Sequence, residues 1–158
     1  MKGKQGGDSQ PETEAAEIRL NLPAEIRFLN VLGATVTALV ERIPRIPQPE
    51  QLAFDVGLAA HEVCTNIMQH AYAEYPGRVE IVITLAPAPR RLIIEFQDTG
   101  RVFDLSSVRE PDLDQAQIHG YGLFLVRALV DELDYIPAAG NNRWLLVKYL
   151  ANGEENRQ

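Results

Sequence analysis

Three groups of polar and glycine residues stand out because together they could serve one reaction. The first group comprises Glu62 and Asn66, which lie four residues apart in a segment of helical periodicity, with His70 one further turn along. Residues at this spacing project from one face of a helix. A carboxylate on that face can accept a proton or orient a hydroxyl group, and an amide oxygen is a suitable ligand for magnesium. Taken alone, the pattern is more typical of a solvated helix face.

The second group is centred on Asp98, which follows a strand-like run from Leu92 to Phe96. Asp98 has the same parity as the apolar residues of that run, so its carboxylate is predicted to point towards the apolar side of the strand. A buried carboxylate needs a partner, and the amino group of adenine is a suitable donor. Gly100 would let a flat ring approach the backbone. The alternative is a simple turn in which the Asp98 side chain bonds to nearby backbone.

The third group, Gly120-Tyr121-Gly122-Leu123, precedes an apolar segment with helical spacing. Free amides and the positive dipole at a helix N-terminus form an anion site, and glycines there leave room for a phosphate. The alternative is a flexible entry into the helix. Each group is a weak signal alone, but their order along the chain favours a single site for ATP with magnesium.

The remaining reactive residues do not suggest a second site. The three histidines, His61, His70 and His119, lack the spacing of zinc ligands, and we expect His70 to brace the helix end. Cys64 is predicted to be a small core residue and not a nucleophile. Because it is the only cysteine, it cannot form an intramolecular disulfide.

The composition is that of one acidic globular domain. The 158 residues are 46% hydrophobic, which is enough for a single core. A net charge of -7 disfavours direct nucleic-acid binding, which depends mainly on lysine and arginine, and suits a basic protein partner. No apolar run is long enough to span a bilayer, and the polar N-terminus is unlike a signal peptide. We therefore expect a cytoplasmic protein with no membrane association.

Hydrophobic periodicity and turn residues divide the chain into strands and helices. We predict one domain at residues 17–151, with flexible tails at 1–16 and 152–158. Helices interrupted by antiparallel strand pairs predict an α+β fold, a two-layer α/β sandwich with a mixed, mostly antiparallel sheet and the helices on one face. The predicted elements are a strand at 18–22, a helix at about 26–40, a helix from 49 or 50 to about 75, strands at 78–85 and 91–97, a loop at 101–118 that could act as a lid, a third helix with apolar positions at Leu123, Val126, Val130 and Leu133, and a hairpin pairing 135–136 with 144–150.

The ordered motifs resemble those of a known family. Glu62-x-x-x-Asn66-x-x-x-His70-Ala71-Tyr72, Asp98-x-Gly100 and Gly120-Tyr121-Gly122-Leu123-Phe124-Leu125-Val126 resemble the anti-sigma-factor serine/threonine kinases of bacterial partner-switching systems, within the histidine-kinase-like ATPase superfamily. The resemblance covers roughly residues 18–150. It implies a Bergerat-type nucleotide fold, binding of a sigma factor, phosphorylation of an anti-anti-sigma antagonist on serine or threonine, and a homodimer.

The resemblance also implies a role for each site residue. Glu62 would be the catalytic residue that orients or deprotonates the substrate serine, and Asn66 would hold Mg²⁺ against the phosphates of ATP. Asp98 would accept the adenine amino group, and Gly100 would line the base pocket. The remaining nucleotide-binding positions are Gly120, Tyr121, Gly122 and Leu123, where the two glycines would admit the phosphates.

The chain departs from the family pattern in several places. Arg101-Val102-Phe103 stands where the family often has further glycines, and Ile118-His119 stands where glycine or arginine often precedes the glycine pair. The strand around Trp144 lacks a threonine often seen there, and Arg109 is the nearest cation for the terminal phosphate from the loop. A second hypothesis therefore stays open, a non-catalytic module in which ATP shapes a partner-binding surface. A histidine-kinase core would need a phosphoacceptor helix pair on another chain.

Overall fold

The computed structural model describes residues 15–107 and 121–151, which form a five-stranded sheet and three α-helices. The predicted α+β class is confirmed. The strands are β1 (Ala16–Pro23), β2 (Arg78–Pro87), β3 (Arg90–Asp98), β4 (Glu132–Ile136) and β5 (Asn142–Tyr149), and the α-helices are α1 (Leu29–Val40), α2 (Pro49–Asn66) and α3 (Tyr121–Leu129). Shorter turns of helix lie at Ile26–Phe28, Ile67–Ala71 and Leu105–Ser107. The predicted tails lie outside the described residues apart from positions 15 and 16, and Ala16 already belongs to β1.

The strands form one open sheet in the order β1-β2-β3-β5-β4. A mixed sheet was predicted, but every pairing among the described strands is antiparallel. The position of β5 explains the difference. Because β3 and β4 are both antiparallel to β5, they run in the same direction, yet β5 lies between them. The segment that carries α3 therefore connects two parallel strands that are not neighbours.

The inner face of the sheet forms the core with the helices. Alternation along β2 and β3 buries Ile81, Ile83, Ile94 and Phe96 on this face. Each such side chain stabilises the fold by about 1.5–3 kcal/mol relative to its exposed state. Val56, Ala59 and Val63 of α2 are buried in the same core.

Helix α2 begins at Pro49 as predicted but ends differently. The α-helical part ends at Asn66 and is followed by one π-helical turn over Ile67–Ala71. The sequence predicted a helix that continues to about Tyr75. A π-helical turn shifts the following residues relative to the α-helical repeat. The end of α2 can therefore meet the sheet at the residues that follow β3.

Leu133 was predicted on the third helix and lies instead in β4, because α3 ends at Leu129. Three-residue spacing from Val130 fits a helix, but two-residue spacing to Tyr135 fits a strand equally well. The predicted hairpin of β4 and β5 is confirmed. Of the predicted loop at 101–118, residues 108–118 lie outside the described residues. None of the described helices is both long and apolar enough to cross a membrane.

Candidate functional site

Asp98 lies at the end of β3 with its side chain on the inner face, as the strand parity predicted, and is 4% exposed. Its Oδ1 accepts hydrogen bonds from the backbone N–H of Gly100 and from Nδ2 of Asn142, each at 2.9 Å. The hydrogen bond from Gly100 closes the turn that the sequence offered as the alternative to a ligand site. Oδ2 accepts no hydrogen bond from the residues at 15–107 and 121–151, so the turn leaves one oxygen for a ligand.

The ionisation of Asp98 reflects two opposing influences. Burial raises the pKa of Asp98 above its ordinary value of 3.8, while the bonds from Asn142 and Gly100 lower it, and the net effect is a raised pKa. A buried charge is costly without donors. The two donors therefore make it possible for Asp98 to remain a carboxylate inside the core.

The turn after Asp98 is held against the end of α2. A Cβ atom at Gly100 would lie 2.5 Å from the carbonyl oxygen of Ala71 and 2.6 Å from its Cβ, so only glycine fits there. The N–H of Arg101 donates to the same carbonyl at 2.9 Å. The hydroxyl of Tyr72 donates to the carbonyl of Arg78 at 2.8 Å and accepts from the N–H of Thr99 at 2.9 Å. These bonds fix Asp98 relative to α2.

Helices α2 and α3 bring the first and third groups of residues together. A Cβ atom at Gly122, in the first turn of α3, would lie 2.9 Å from Oε2 of Glu62 and 3.9 Å from Nδ2 of Asn66. Both α2 side chains are half-buried. The carboxylate and the amide therefore face the N-terminal end of α3, which is the end of a helix that attracts anions.

One small cavity connects this end of α2 with Asp98. Asn66 and Asp98 both line it, and its volume of about 10 Å³ is close to that of one water molecule. Its aromatic side consists of Tyr135 and Trp144, whose rings stack at 4.2 Å, and Phe103, 5.8 Å from the Trp144 ring. The N–H of Phe103 donates to the Tyr135 hydroxyl at 2.8 Å. A purine is much larger than this cavity, which Phe103 borders.

The structure thus gathers five of the predicted site residues, namely Glu62, Asn66, Asp98, Gly100 and Gly122. Tyr121 is half-buried at the start of α3. Leu123 is buried in the core, so only its backbone N–H could contact a ligand. Gly120, with His119 and Arg109, lies outside the described residues.

The other reactive side chains play smaller parts. His70 is exposed, with its ring 5.4 Å from that of Phe103. Cys64 is fully buried, which confirms that it is a core residue, and burial raises the pKa of its thiol to about 12. Within the described ranges, no group of three or more His, Cys, Asp or Glu side chains could hold a metal ion.

Sequence reasoning missed Asn142, which is buried at the start of β5 and bonds directly to Asp98. The predicted hairpin pairs 135–136 with 144–150 and therefore leaves Asn142 between its strands. A signal was present, because Asn142 has the same parity as the apolar residues Trp144 and Leu146 and is therefore predicted to point inward. Its partner was not predictable, since the pairing of Asn142 with Asp98 depends on the register of β5 against β3.

An open antiparallel sheet with helices on its inner face, a buried carboxylate at the end of β3 and an amide at the end of α2 match what the resemblance to the histidine-kinase-like ATPase class implies. Comparison with known families agrees with this assignment. Residues 22–148 match the family model described as the histidine kinase-like ATPase domain, and the chain belongs to this family.

Individual relatives make the resemblance more specific. The chain is 30% identical over 142 residues to the serine-protein kinase RsbW of Bacillus cereus and 29% identical to that of Bacillus anthracis, covering 85% of each chain. The solved structure of the RsbU and RsbW domains of a Mycobacterium tuberculosis protein matches with a TM-score of 0.64 at 19% identity, over 87% of this chain and 33% of that chain. The predicted resemblance to serine/threonine kinases of this superfamily is therefore confirmed, as is the fold.

Proposed function

We propose that the protein is an ATP-dependent serine/threonine kinase that phosphorylates an anti-anti-sigma antagonist and also sequesters a sigma factor. One observation carries the proposal: Glu62 and Asn66 meet Gly122 at the start of α3, and Asn66 shares a cavity with Asp98. The serine-protein kinases among the relatives support the reaction type. The sigma factor and the antagonist come from the resemblance of the motifs.

Asp98 is the residue that recognises the base. Its Oδ2 accepts from none of the described residues and can accept a hydrogen bond from the amino group of adenine. Gly100 keeps the backbone beside it free of a side chain, and the rings of Tyr135 and Trp144 offer an apolar wall for a purine. The position of the bound base therefore depends on the turn that follows β3.

The phosphates bind at the N-terminus of α3. Glu62 and Asn66 border the space that a Cβ atom at Gly122 would fill. Because Gly122 has no side chain, a phosphate has room beside the backbone amides of residues 121–123. Asn66 would hold Mg²⁺ through its amide oxygen, which is a hard ligand of the kind that this metal prefers. When bound, the metal neutralises charge on the phosphates.

Glu62 is the catalytic residue in this proposal. Its carboxylate orients the hydroxyl of the substrate serine or threonine and accepts the proton as that oxygen bonds to the terminal phosphorus of ATP and the bond to the bridging oxygen of ADP breaks. Phosphoryl transfer depends mainly on positioning and charge stabilisation. A single carboxylate held between α2 and α3 is therefore sufficient as the base.

A transfer assay tests the proposal. The wild-type protein is incubated with ATP labelled on the terminal phosphate, Mg²⁺ and a serine-bearing antagonist domain, beside an antagonist in which that serine is alanine. We expect label only on the serine-bearing domain, and we expect Glu62→Gln to abolish transfer while it still binds ATP. Tight ATP binding by the wild type without any transfer to a matched antagonist would reject the kinase function.

A second function, a module in which ATP only shapes a partner-binding surface, is favoured by one observation. The atoms nearest to the space beside Gly122 belong to Glu62 and Asn66, and neither residue is a cation that could stabilise the terminal phosphate during transfer. Calorimetry with ATP and with ADP separates the two functions. Equal stabilisation by both nucleotides, with partner binding that ignores the terminal phosphate, would exclude an ATP-dependent switch.

The proposal also includes a homodimer and a cytoplasmic location. Light scattering tests the homodimer, and fractionation of cells tests the location.

A further inference from the structure

The side-chain amide of Asn142 uses both its nitrogen and its oxygen in hydrogen bonds beside Asp98. Its Nδ2 donates to Oδ1 of Asp98 at 2.9 Å and to the carbonyl oxygen of Gly100 at 3.0 Å. Its Oδ1 accepts from the backbone N–H of Ala138 at 3.3 Å. The reversed amide would place an oxygen against two acceptors, so the network fixes the orientation of the side chain. Asn142 is 1% exposed, and water cannot easily replace these bonds.

The network determines how Asp98 is presented to the cavity. Oδ1 is occupied by two donors, from Gly100 and Asn142, while no described residue donates to Oδ2. Hydrogen bonds to the charged form of a carboxyl favour ionisation and oppose the effect of burial. Asn142 therefore keeps Oδ2 an acceptor and holds it in a constant direction.

We propose that Asn142 is a positioning residue that sets the base specificity of the site by keeping Asp98 a pure acceptor. This inference rests on the proposed function. An ionised Asp98 accepts from the amino group at C6 of adenine and repels the carbonyl oxygen that guanine carries there. A protonated Asp98 can donate to that carbonyl, so loss of the Asn142 donor relaxes the discrimination between ATP and GTP.

A merely structural role for Asn142, in which it satisfies buried polar groups near the β4–β5 turn, makes a different prediction. It would change stability without changing base selectivity or its pH dependence. Other titratable and charged groups line the two hollows to which Asp98 contributes, and the comparison must keep them constant. Around the small cavity they are His70 after α2, Arg101 in the loop after β3 and Tyr135 of β4. In a second, larger hollow, which Asp98 also lines, they are Arg78 and Glu80 of β2.

The experiment measures dissociation constants of ATP and GTP, with Mg²⁺, for the full-length wild type and for Asn142→Asp between about pH 6 and pH 8. The substitution preserves shape and the acceptor for Ala138 but replaces the donor by a second carboxylate, so the pair retains a proton. We expect ATP binding to weaken by about tenfold or more, the preference for ATP over GTP to fall by a similar factor, and ATP binding to weaken further at low pH.

Asn141→Asp is the matched control, since it adds the same charge one residue away on an exposed side chain. It should retain the wild-type selectivity and pH profile. Asn142→Leu removes the donor without adding charge and should relax selectivity in the same direction.

The outcomes separate this inference from the proposed function. A wild type that binds ATP, with Asn142 variants that fold and retain both its selectivity and its pH profile, overturns the inference alone. A wild type that binds neither nucleotide overturns the proposed function and the inference with it. If Asn142→Leu does not fold, the result with Asn142→Asp decides.

Discussion

Gly122→Ala separates the requirements of folding from those of catalysis. The new methyl carbon would lie 2.9 Å from Oε2 of Glu62, whereas ordinary van der Waals contact begins near 3.4 Å. The carboxylate must therefore move by about half an ångström. It is the end of a flexible side chain and no backbone atom stands in the way, so the fold can accommodate the methyl group.

The expected magnitudes follow from that displacement. Alanine favours a helix by up to about 1 kcal/mol relative to glycine, which offsets the cost of moving Glu62, so the free energy of unfolding should change by less than about 1 kcal/mol. Catalysis is more sensitive, because a misplacement of about 1 Å can reduce the rate about 100-fold. For half that displacement we expect kcat for phosphoryl transfer to fall by about tenfold or more.

Urea denaturation and the labelled transfer assay measure the two effects on the same preparations. Gly57→Ala is the matched control, because Gly57 lies within α2 and nothing is within 4 Å of the Cβ position. It should raise the free energy of unfolding by up to about 1 kcal/mol and leave transfer unchanged. If Gly122→Ala is as stable as the wild type and equally active, Glu62 does not act at the position that the proposed mechanism requires.

Four further predictions concern the turn after β3 and the cavity beside it. Asp98→Asn should weaken ATP binding by about tenfold to a hundredfold, because the site loses a charged acceptor; unchanged affinity in calorimetry would contradict this. The raised pKa of Asp98 also means that the native state takes up a proton before the unfolded chain does as the pH falls towards 3.8. The free energy of unfolding of the wild type should therefore rise relative to that of Asp98→Asn over this window, and parallel curves in urea denaturation would be inconsistent with the buried carboxylate. Gly100→Ala places a methyl group against the backbone of Ala71 and should destabilise the fold by about 1–3 kcal/mol, which denaturation would detect and an unchanged midpoint would refute. Phe103→Ala should open the cavity and speed ATP association in stopped-flow measurements; an unchanged association rate would show that Phe103 does not limit entry.

The local features of the site were predictable from the sequence, whereas its long-range contacts were not. The parity that Asp98 shares with Phe96 predicted an inward carboxylate, and the spacing of Glu62 and Asn66 predicted one helix face, because both depend only on the geometry of a single element. The antiparallel sheet and the partner of Asp98 depend on β5 pairing with β3, a contact between distant parts of the chain. Likewise, no local pattern distinguished the π-helical turn at the end of α2 from a continuing α-helix.

The position of β5 has a consequence for synthesis of the protein. β5 follows the other four strands in sequence, yet it lies inside the sheet, between β3 and β4. Since a ribosome delivers the chain from its N-terminus, β3 has an open edge and β4 has no partner until β5 emerges. Asn142 arrives on that same strand, and only then does Asp98 acquire its side-chain donor. The surroundings of Asp98 are therefore complete in a nascent chain only after β5 has emerged and paired with β3.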